Sequence, residues 1–487
     1  MRTCDTGPRD AGCPPEPGRG APDPAVTGPA VTGPAAPAAP GTDEAGLPPA
    51  AGTVPAPGQP APGGRAARML GSLRPLRHRG YGLLWSAGLV SQIGSWMQAV
   101  AVGALLISTT GQATWAVLVA AAAFLPIGLL SPVGGALADR VPRKPVLIGG
   151  NLAAAIVAVA LAVLVGQGHE DPTLLVALVA VQGSASALTG PFQQAILPDL
   201  VPTDEFLPAI ALNSAQFNLG RIAGPALAGA AVAAFGYPLA FDANAASFLA
   251  VVVVLPFVRL VPPAGRSGAL LASLREGFKV ARGQPSCWAA VLTIAVVALI
   301  ASPFIALVPA MAERLSGGGS RAVASATGVL TTAQGIGAVA GALVMTGLAA
   351  KFGRGRLLGA SLAALPAVLI LYACSQALWQ GVATLFLVGL VYISVLSGLS
   401  TVVQLHAPAA FRGRVLSFYL VALGVAYPVG ALVQGPLVDR IGVGWDTAAT
   451  ALLVSAVMAV VALRRPRFTA ALLAELVPGR SSWVSSS

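Results

Sequence analysis

Charge is scarce in this sequence: Asp, Glu, Lys and Arg together supply 10% of its 487 residues, against roughly a quarter in a soluble globular domain. So few charges cannot clothe a water-facing surface, and a soluble fold is excluded. Cysteine is scarcer, at four residues. Cys4 and Cys13 fall near the start while Cys287 and Cys374 stand alone, which leaves neither a disulfide framework nor a metal-ligand spacing. The histidines His78, His169 and His406 are equally scattered, so no zinc, haem or nucleophilic-triad pattern is present. A GxxxxGK[ST] loop is missing too, and ATP cannot drive this chain unless a separate subunit binds it. With no catalytic constellation, the chain reads as a non-enzyme that needs no cofactor and no metal.

What the sequence has in excess is apolar surface, with 55% hydrophobic residues and a mean hydropathy of +0.78. Twelve apolar runs stand out, from Leu83 to Ser108 at the start to Trp445 to Leu463 at the end. Each is close to the ~20 residues that a helix needs to cross a hydrocarbon core of about 30 Å. The runs are continuous and lack the alternation of a transmembrane β-strand, which rules out a barrel. The expected fold is an all-α membrane protein. Its lipid contact is intimate, and four tryptophans, Trp115, Trp288, Trp379 and Trp445, open spans where an interfacial belt would place them.

The net charge of +11 does not point to nucleic acid, because of where it lies. Of 29 Lys and Arg, 21 fall on alternate connections, whereas the opposite connections hold only Arg314, Arg321 and Arg440. By the positive-inside rule both chain ends face the cytoplasm, in a plasma membrane (the bacterial inner membrane). Residues 1–68 differ in kind: the first 64 carry 16 of the 40 prolines and no apolar run. Such a stretch is expected to be disordered, and Met69 makes a natural start, so it is read as a mis-assigned start or a dispensable tail. Six-helix bundles are expected over 69–258 and 286–466, with a linker at 259–285 and a cytoplasmic tail at 467–487. Within the linker, Leu271, Leu274 and Phe278 have the spacing of a short surface helix.

The halves repeat. Gly224, Gly229 and Gly236 recur 206 residues on as Gly430, Gly435 and Gly442, and Arg259 recurs as Arg465. Two parallel six-helix repeats are an architecture of secondary transporters, with the binding site between them near the midplane. "GGALADRVPRK", from Gly134 to Lys144, resembles the loop signature of the major facilitator superfamily, with Pro142 where the wider pattern has Gly. "SQIGSWMQ", "ALNSAQFNLGRIAGPALAG" and "RGRVLSFY" resemble the branch that holds the enterobactin exporter and drug-efflux proteins. The resemblance runs from about Gly80 to Pro466 and implies twelve transmembrane helices in two pseudo-symmetric bundles. It also implies secondary active transport, with efflux as the leading direction and uptake of a small organic solute as the alternative. Drugs, antibiotics, siderophores or metabolites are the expected cargo. Protons are the leading coupling ion, with sodium-coupled and uncoupled transport left open. The working unit is expected to be a monomer whose partners are the bilayer and a small molecule, and a receptor or scaffold is disfavoured because no folded soluble domain is evident.

Three groups of residues carry the mechanistic expectations. Gly135, Asp139, Arg140, Arg143, Asp199 and Arg414 form a cytoplasmic gate, in which Asp139 lies against the positive N-terminal end of the eleventh helix near Arg414 and Arg143 reaches Asp199. Gly135 is expected to let the second helix approach a neighbour, and Lys144 is read as an orientation anchor. Gly220, Gly224, Pro225 and Gly229 form a packing face on the fifth helix, which the resemblance associates with antiporters. Gln92, Asn213, Asn218, Arg221, Gln334, Tyr392 and Tyr427 are the candidate cavity residues, with Phe124, Phe217 and Phe304 as apolar walls. Arg221 is singled out as the basic residue placed inside a span, where insertion would cost roughly 2.5–3.5 kcal/mol unless it faces protein or a wet cavity.

Overall fold

The computed structural model describes residues 72–261, 278–408 and 411–473. The expected disordered stretch at 1–68 and the Leu271 and Leu274 part of the linker helix lie outside the described residues. Every regular element among the described residues is helical. The long helices are α1 (Arg79–Thr110), α2 (Ala113–Ala138), α3 (Arg143–Gly166), α4 (Pro172–Ala195), α5 (Phe206–Phe235), α6 (Tyr237–Val254), α7 (Pro285–Ser316), α8 (Ser320–Phe352), α9 (Arg354–Ala373), α10 (Leu378–His406), α11 (Arg412–Ile441) and α12 (Val443–Arg464). Eleven of these twelve are long and apolar enough to cross a membrane. The remaining one, α5, is long enough at 30 residues but carries Asn213, Gln216, Asn218 and Arg221 between its start and its middle, which lowers its hydropathy.

Several of the long helices end in glycines of positive φ. Gly236 (φ 86°) and Gly442 (φ 85°) end α5 and α11 and let α6 and α12 begin at once, a left-handed conformation that glycine adopts without strain. Asp171 caps α4, its carboxylate accepting from the Thr173 amide at 2.8 Å and the Leu174 amide at 3.2 Å. In the first half α2 packs along α4, α3 along α6, and α1 along α5 and α6; in the second α8 packs along α10, and α9 along α10 and α12. The halves meet where α5 lies on α8 and α2 lies on α11.

The glycines repeated 206 residues apart do equivalent work. A Cβ on Gly224 would stand 2.5 Å from the Trp96 Cβ and 2.7 Å from the Ile93 carbonyl of α1, and one on Gly430 would collide with the Leu299 carbonyl of α7. Five residues on, a Cβ on Gly229 would be 3.2 Å from the Ser325 Cα of α8, and one on Gly435 3.1 Å from the Thr114 Cα of α2. The first glycine of each pair thus seats its helix within its own half, and the second seats it against the other half.

Three differences from the sequence reading have physical causes. The seventh span, expected as one helix from Ser286 to Met311, is interrupted: an α-helix at Pro285–Val296 gives way to a π turn at Val297–Ala301 and a 3-10 turn at Ser302–Ile305 before helix resumes at Val308–Ser316. Pro303 and Pro309 lack the amide hydrogens that a continuous helix would use, and Gly430 presses on the same stretch. Gly135 does not seat α2 against a neighbour, since a Cβ there would meet nothing within 4 Å. Gly134 takes that part, facing the Leu188 carbonyl of α4 at 2.6 Å from where its Cβ would be, because one residue of helical rotation separates packed from open. The first residues of the expected tail, 467–473, belong to a further helix, α13 (Pro466–Leu473), that packs on α7 and α9 and buries Leu472.

Gly430→Val should prevent a well-packed fold, costing about 1–3 kcal/mol or more, whereas Gly149→Ala, where a Cβ meets nothing within 4 Å, should raise stability by about 0.5–1 kcal/mol. Thermal unfolding and size-exclusion profiles of the purified variants check both directions.

Candidate functional site

A cavity of about 1650 Å³ lies between the halves. Its walls come from α1 to α6 and the first half of α11, and Asp139, Gly413 and Arg414 line it at the basic end. It opens at the end of the bundle that carries the basic connections.

The first-half wall is built from neutral polar groups whose bonds run between helices. Gln98 donates from its side-chain amide to Gln182 Oε1 at 2.6 Å, and Asn244 donates to Gln98 Oε1 at 2.7 Å. Ser247 in turn donates to the Asn244 carbonyl at 2.7 Å. This relay ties α1, α4 and α6 together at the cavity wall, as a buried polar group requires. A second set joins α1 to α5: the Tyr81 hydroxyl donates to the Ala209 carbonyl at 3.0 Å and to Asn213 Oδ1 at 3.1 Å, Trp85 Nε1 to the Leu212 carbonyl at 3.0 Å, and Gln216 Nε2 to the Trp85 carbonyl at 2.6 Å. Aromatic surface completes the wall, with Trp96 and Phe217 edge to face at 5.8 Å.

Of the seven candidate cavity residues, the structure brings Gln92, Asn213 and Asn218 to the lining. Arg221, Gln334, Tyr392 and Tyr427 are not on it. They occupy the packed seam beyond its blind end, because α5 and α8 close on each other there: Thr332 donates to the Ile222 carbonyl at 3.3 Å, and a Cβ on Gly335 would lie 3.4 Å from the Arg221 carbonyl. Phe124 marks the border, lining the cavity while packing edge to face on Tyr427 at 5.7 Å. Phe304 is buried in the seam against Tyr392 at 5.5 Å. The packing-face residues Gly220, Gly224, Pro225 and Gly229 all sit at close contacts, the first two on α1 and the last two on α8.

At the open end, Arg143 Nη1 donates to Asp199 Oδ2 at 2.8 Å, with side chains 14% and 15% exposed. The same oxygen accepts from the Val261 amide at 3.4 Å, and Lys144 donates to the Pro256 carbonyl at 3.3 Å. These bonds bind α3 to the segments after α4 and α6, so Arg143 and Asp199 brace one half and do not bridge the two. Asp139 and Arg140 are exposed, and among the described residues Asp139 makes no ion pair. Arg414 stands over the Phe411 ring at 5.4 Å. The expected Asp139 contact with the start of α11 is therefore not made in this conformation.

The opposite end is shut by a residue that the sequence reading did not single out. Asp439, in the last turn of α11, caps the N-terminus of α2: its carboxylate accepts from the Ala113 amide at 2.5 Å, the Thr114 amide at 3.3 Å and the Thr114 hydroxyl. Tyr237 adds a donated bond to the Ser320 carbonyl at 2.8 Å, from α6 to α8. A signal was present in the sequence. Asp139-Arg140 ends α2 and Asp439-Arg440 ends α11, so two antiparallel neighbours each carry an acid at the end that faces the other's N-terminus.

Comparison with known proteins agrees with this arrangement. The profile of the family described as transmembrane secretion effector matches residues 70–479. The uncharacterised MFS-type transporter YfiS of Bacillus subtilis is 28% identical over 229 residues, 46% of this chain and 54% of that protein. The staphyloferrin A transporter of Staphylococcus aureus is 30% identical over 174 residues, 35% of this chain and 44% of that protein. The aligned region thus spans about half the length of these two relatives. The multidrug efflux pump Tap of Mycolicibacterium fortuitum is similar over more of its length, 25% identical over 372 residues, 74% of this chain and 89% of that protein. Among solved structures, a bacterial homolog of the human lysosomal transporter Spinster shares the fold with a TM-score of 0.65 at 16% identity, covering 83% of this chain and 99% of that one. The chain belongs to the transmembrane secretion effector family of the major facilitator superfamily, a family of multi-pass membrane transporters.

Proposed function

We propose that this protein exports small amphipathic organic molecules across the bacterial plasma membrane by alternating access, driven by protons, with its basic end in the cytoplasm. The observation that carries the reading is a large cavity lined by helices of both halves, which reaches Asp139, Gly413 and Arg414 at the basic end, while Asp439 caps α2 at the other end. Aromatic rings and neutral amides on its wall suit a cargo with an apolar body and a few polar groups. Multidrug and macrolide efflux proteins among the relatives support the outward direction.

The ends of α2 and α11 supply a physical switch. A helix N-terminus exposes unpaired amides and carries roughly half a positive charge, so a carboxylate docked there is stabilised. In this conformation Asp439 is docked on α2, whereas among the described residues Asp139 makes no ion pair. Rocking the halves about the central seam separates the first pair and brings the second together, so the two caps are mutually exclusive. Each holds one end shut while the other is open. Gly135, which lines the cavity and faces open space here, leaves room for α11 to close over α2.

Two measurements test this. Everted membrane vesicles, energised and supplied with a panel of amphipathic drugs, should accumulate some members and release their pH gradient in doing so. Accumulation in right-side-out vesicles instead would overturn export, and indifference to a proton ionophore would overturn proton coupling. Spin labels across the α2–α11 ends should report the switch: Asp439→Ala removes a charged cap worth about 1–2 kcal/mol and should shift the ratio of the two states roughly 5–30-fold away from the conformation described. Asp139→Asn should leave that conformation populated and slow transport at normal membrane abundance; wild-type transport in Asp139→Asn would refute the inner cap.

A further inference from the structure

We infer that the seam beyond the cavity holds a second, deeper subsite built for an anion, in which Arg221 receives the carboxylate of an amphipathic cargo. The inference rests on the transporter reading and adds to it the charge of the substrate. Ser214, Phe217 and Asn218 line the cavity from α5, and Arg221 follows on the same helical stripe one turn deeper. Its guanidinium is therefore the first charge that a molecule entering past Asn218 would meet.

That charge has no acid to answer it. The ion pairs among the described residues are His78–Glu205 and Arg143–Asp199, both at the basic end. The group in electrostatic reach of Arg221 is the Tyr392 phenol. Tyr392 is buried, its hydroxyl 2.7 Å from the Ser302 hydroxyl. Gln334 converges at the same depth: its neighbour Gly335 lies against the Arg221 backbone, and Gly389, three residues before Tyr392, lies against its own. The Gln334 side chain is 1% exposed, and its amide nitrogen has no partner. A buried donor left unsatisfied costs about 1–3 kcal/mol, which an incoming acceptor would relieve.

Two backbone acceptors nearby are already taken. The broken turns of α7 free backbone carbonyls, but Ser302 donates to that of Val297 at 3.1 Å and Gln434 to that of Ile300 at 2.9 Å. The seam therefore offers donors and a positive charge, while the cavity lining has its carboxylate, Asp139, only at the mouth. A cationic head finds no counter-charge on this path, and a carboxylate does. Arginine's planar fork suits such a carboxylate in two-point contact.

The test uses purified full-length protein in nanodiscs and calorimetric titration with three compounds that share one naphthyl-alkyl body: the carboxylate, its primary amide and the corresponding ammonium. The wild type should bind the carboxylate at least 10-fold more tightly than the amide, with the ammonium weakest. Arg221→Gln should abolish the preference and leave amide affinity within about 3-fold, and Arg221→Lys should keep part of it. If Arg221→Gln does not fold, as its melting and elution would show, Gln334→Leu decides, because it should lower carboxylate binding several-fold and spare the amide. Equal binding of acid and amide, a preference for the ammonium, no binding of any of the three, or a preference untouched by these changes would overturn the subsite. Accumulation of the amide in everted vesicles without any acid preference would sink this inference alone, whereas failure of the drug panel described above would sink the transport reading.

Discussion

The architecture depends on how closely other helices can approach α5 and α11. In lipid no hydrophobic force drives helices together, so association relies on van der Waals contact and on hydrogen bonds between helices. Glycines provide that contact here, and they do so twice in the same order. Gly224 and Gly430 seat α5 and α11 against α1 and α7 of their own halves; Gly229 and Gly435 seat them against α8 and α2 across the seam. Both cross-half contacts lie in the part of the bundle away from the open mouth. The halves are thus held at one end by backbone-close packing and parted at the other by a water-accessible gap, which is the asymmetry a rocking motion needs.

The second constraint is that every backbone polar group at membrane depth must find a partner. It explains why α7 can break at all. The π and 3-10 turns between Val297 and Ile305 lose regular helix bonding, and the loss is repaired by Ser302 and by Gln434 from α11. Broken helices at this depth are tolerated where protein or a cavity surrounds them, and π turns cluster at functional sites. Repair by side chains from α7 itself and from α11 makes the break a joint between elements of one half. It also places Ser302 where its hydroxyl meets Tyr392.

Much of this was legible in the residues, and the reasons for the rest are specific. Continuous apolar runs and the 206-residue offset point to the spans and to the two halves, because hydrocarbon thickness and helical rise leave few alternatives. The Arg143–Asp199 contact was legible because Arg143 opens the third span and Asp199 ends the fourth, which puts both charges on the same face of the membrane. Gly134 and Gly135 were not separable, since which of two adjacent glycines is packed depends on helix rotation and sequence spacing does not encode it. Pro303 and Pro309 signalled a break in α7, but its place was hidden because the close approach of Gly430 to Leu299 comes from a distant part of the chain. Polar residues within spans gave membership of the interior but not depth, so Gln92 and Asn218 reached the cavity while Gln334, Tyr392 and Tyr427 went to the seam.

The distribution of charge then links the fold to transport. Charged side chains cluster at the two rims, where Asp139 and Asp439 stand, and the cavity wall between them is lined by neutral residues, with Arg221 in the seam beyond it. A cargo crossing a surface of neutral amides meets no deep electrostatic well on the way, and a site that bound it too tightly at the wall would hold it when the far end opened. Arg221 sits where the halves meet, so any charge it binds is bound at the hinge and not on either lobe. On the proposed rocking motion, occupation of that point would change the electrostatics of the seam where α5 packs on α8, and this would give a bound ligand a physical route to the proposed switch.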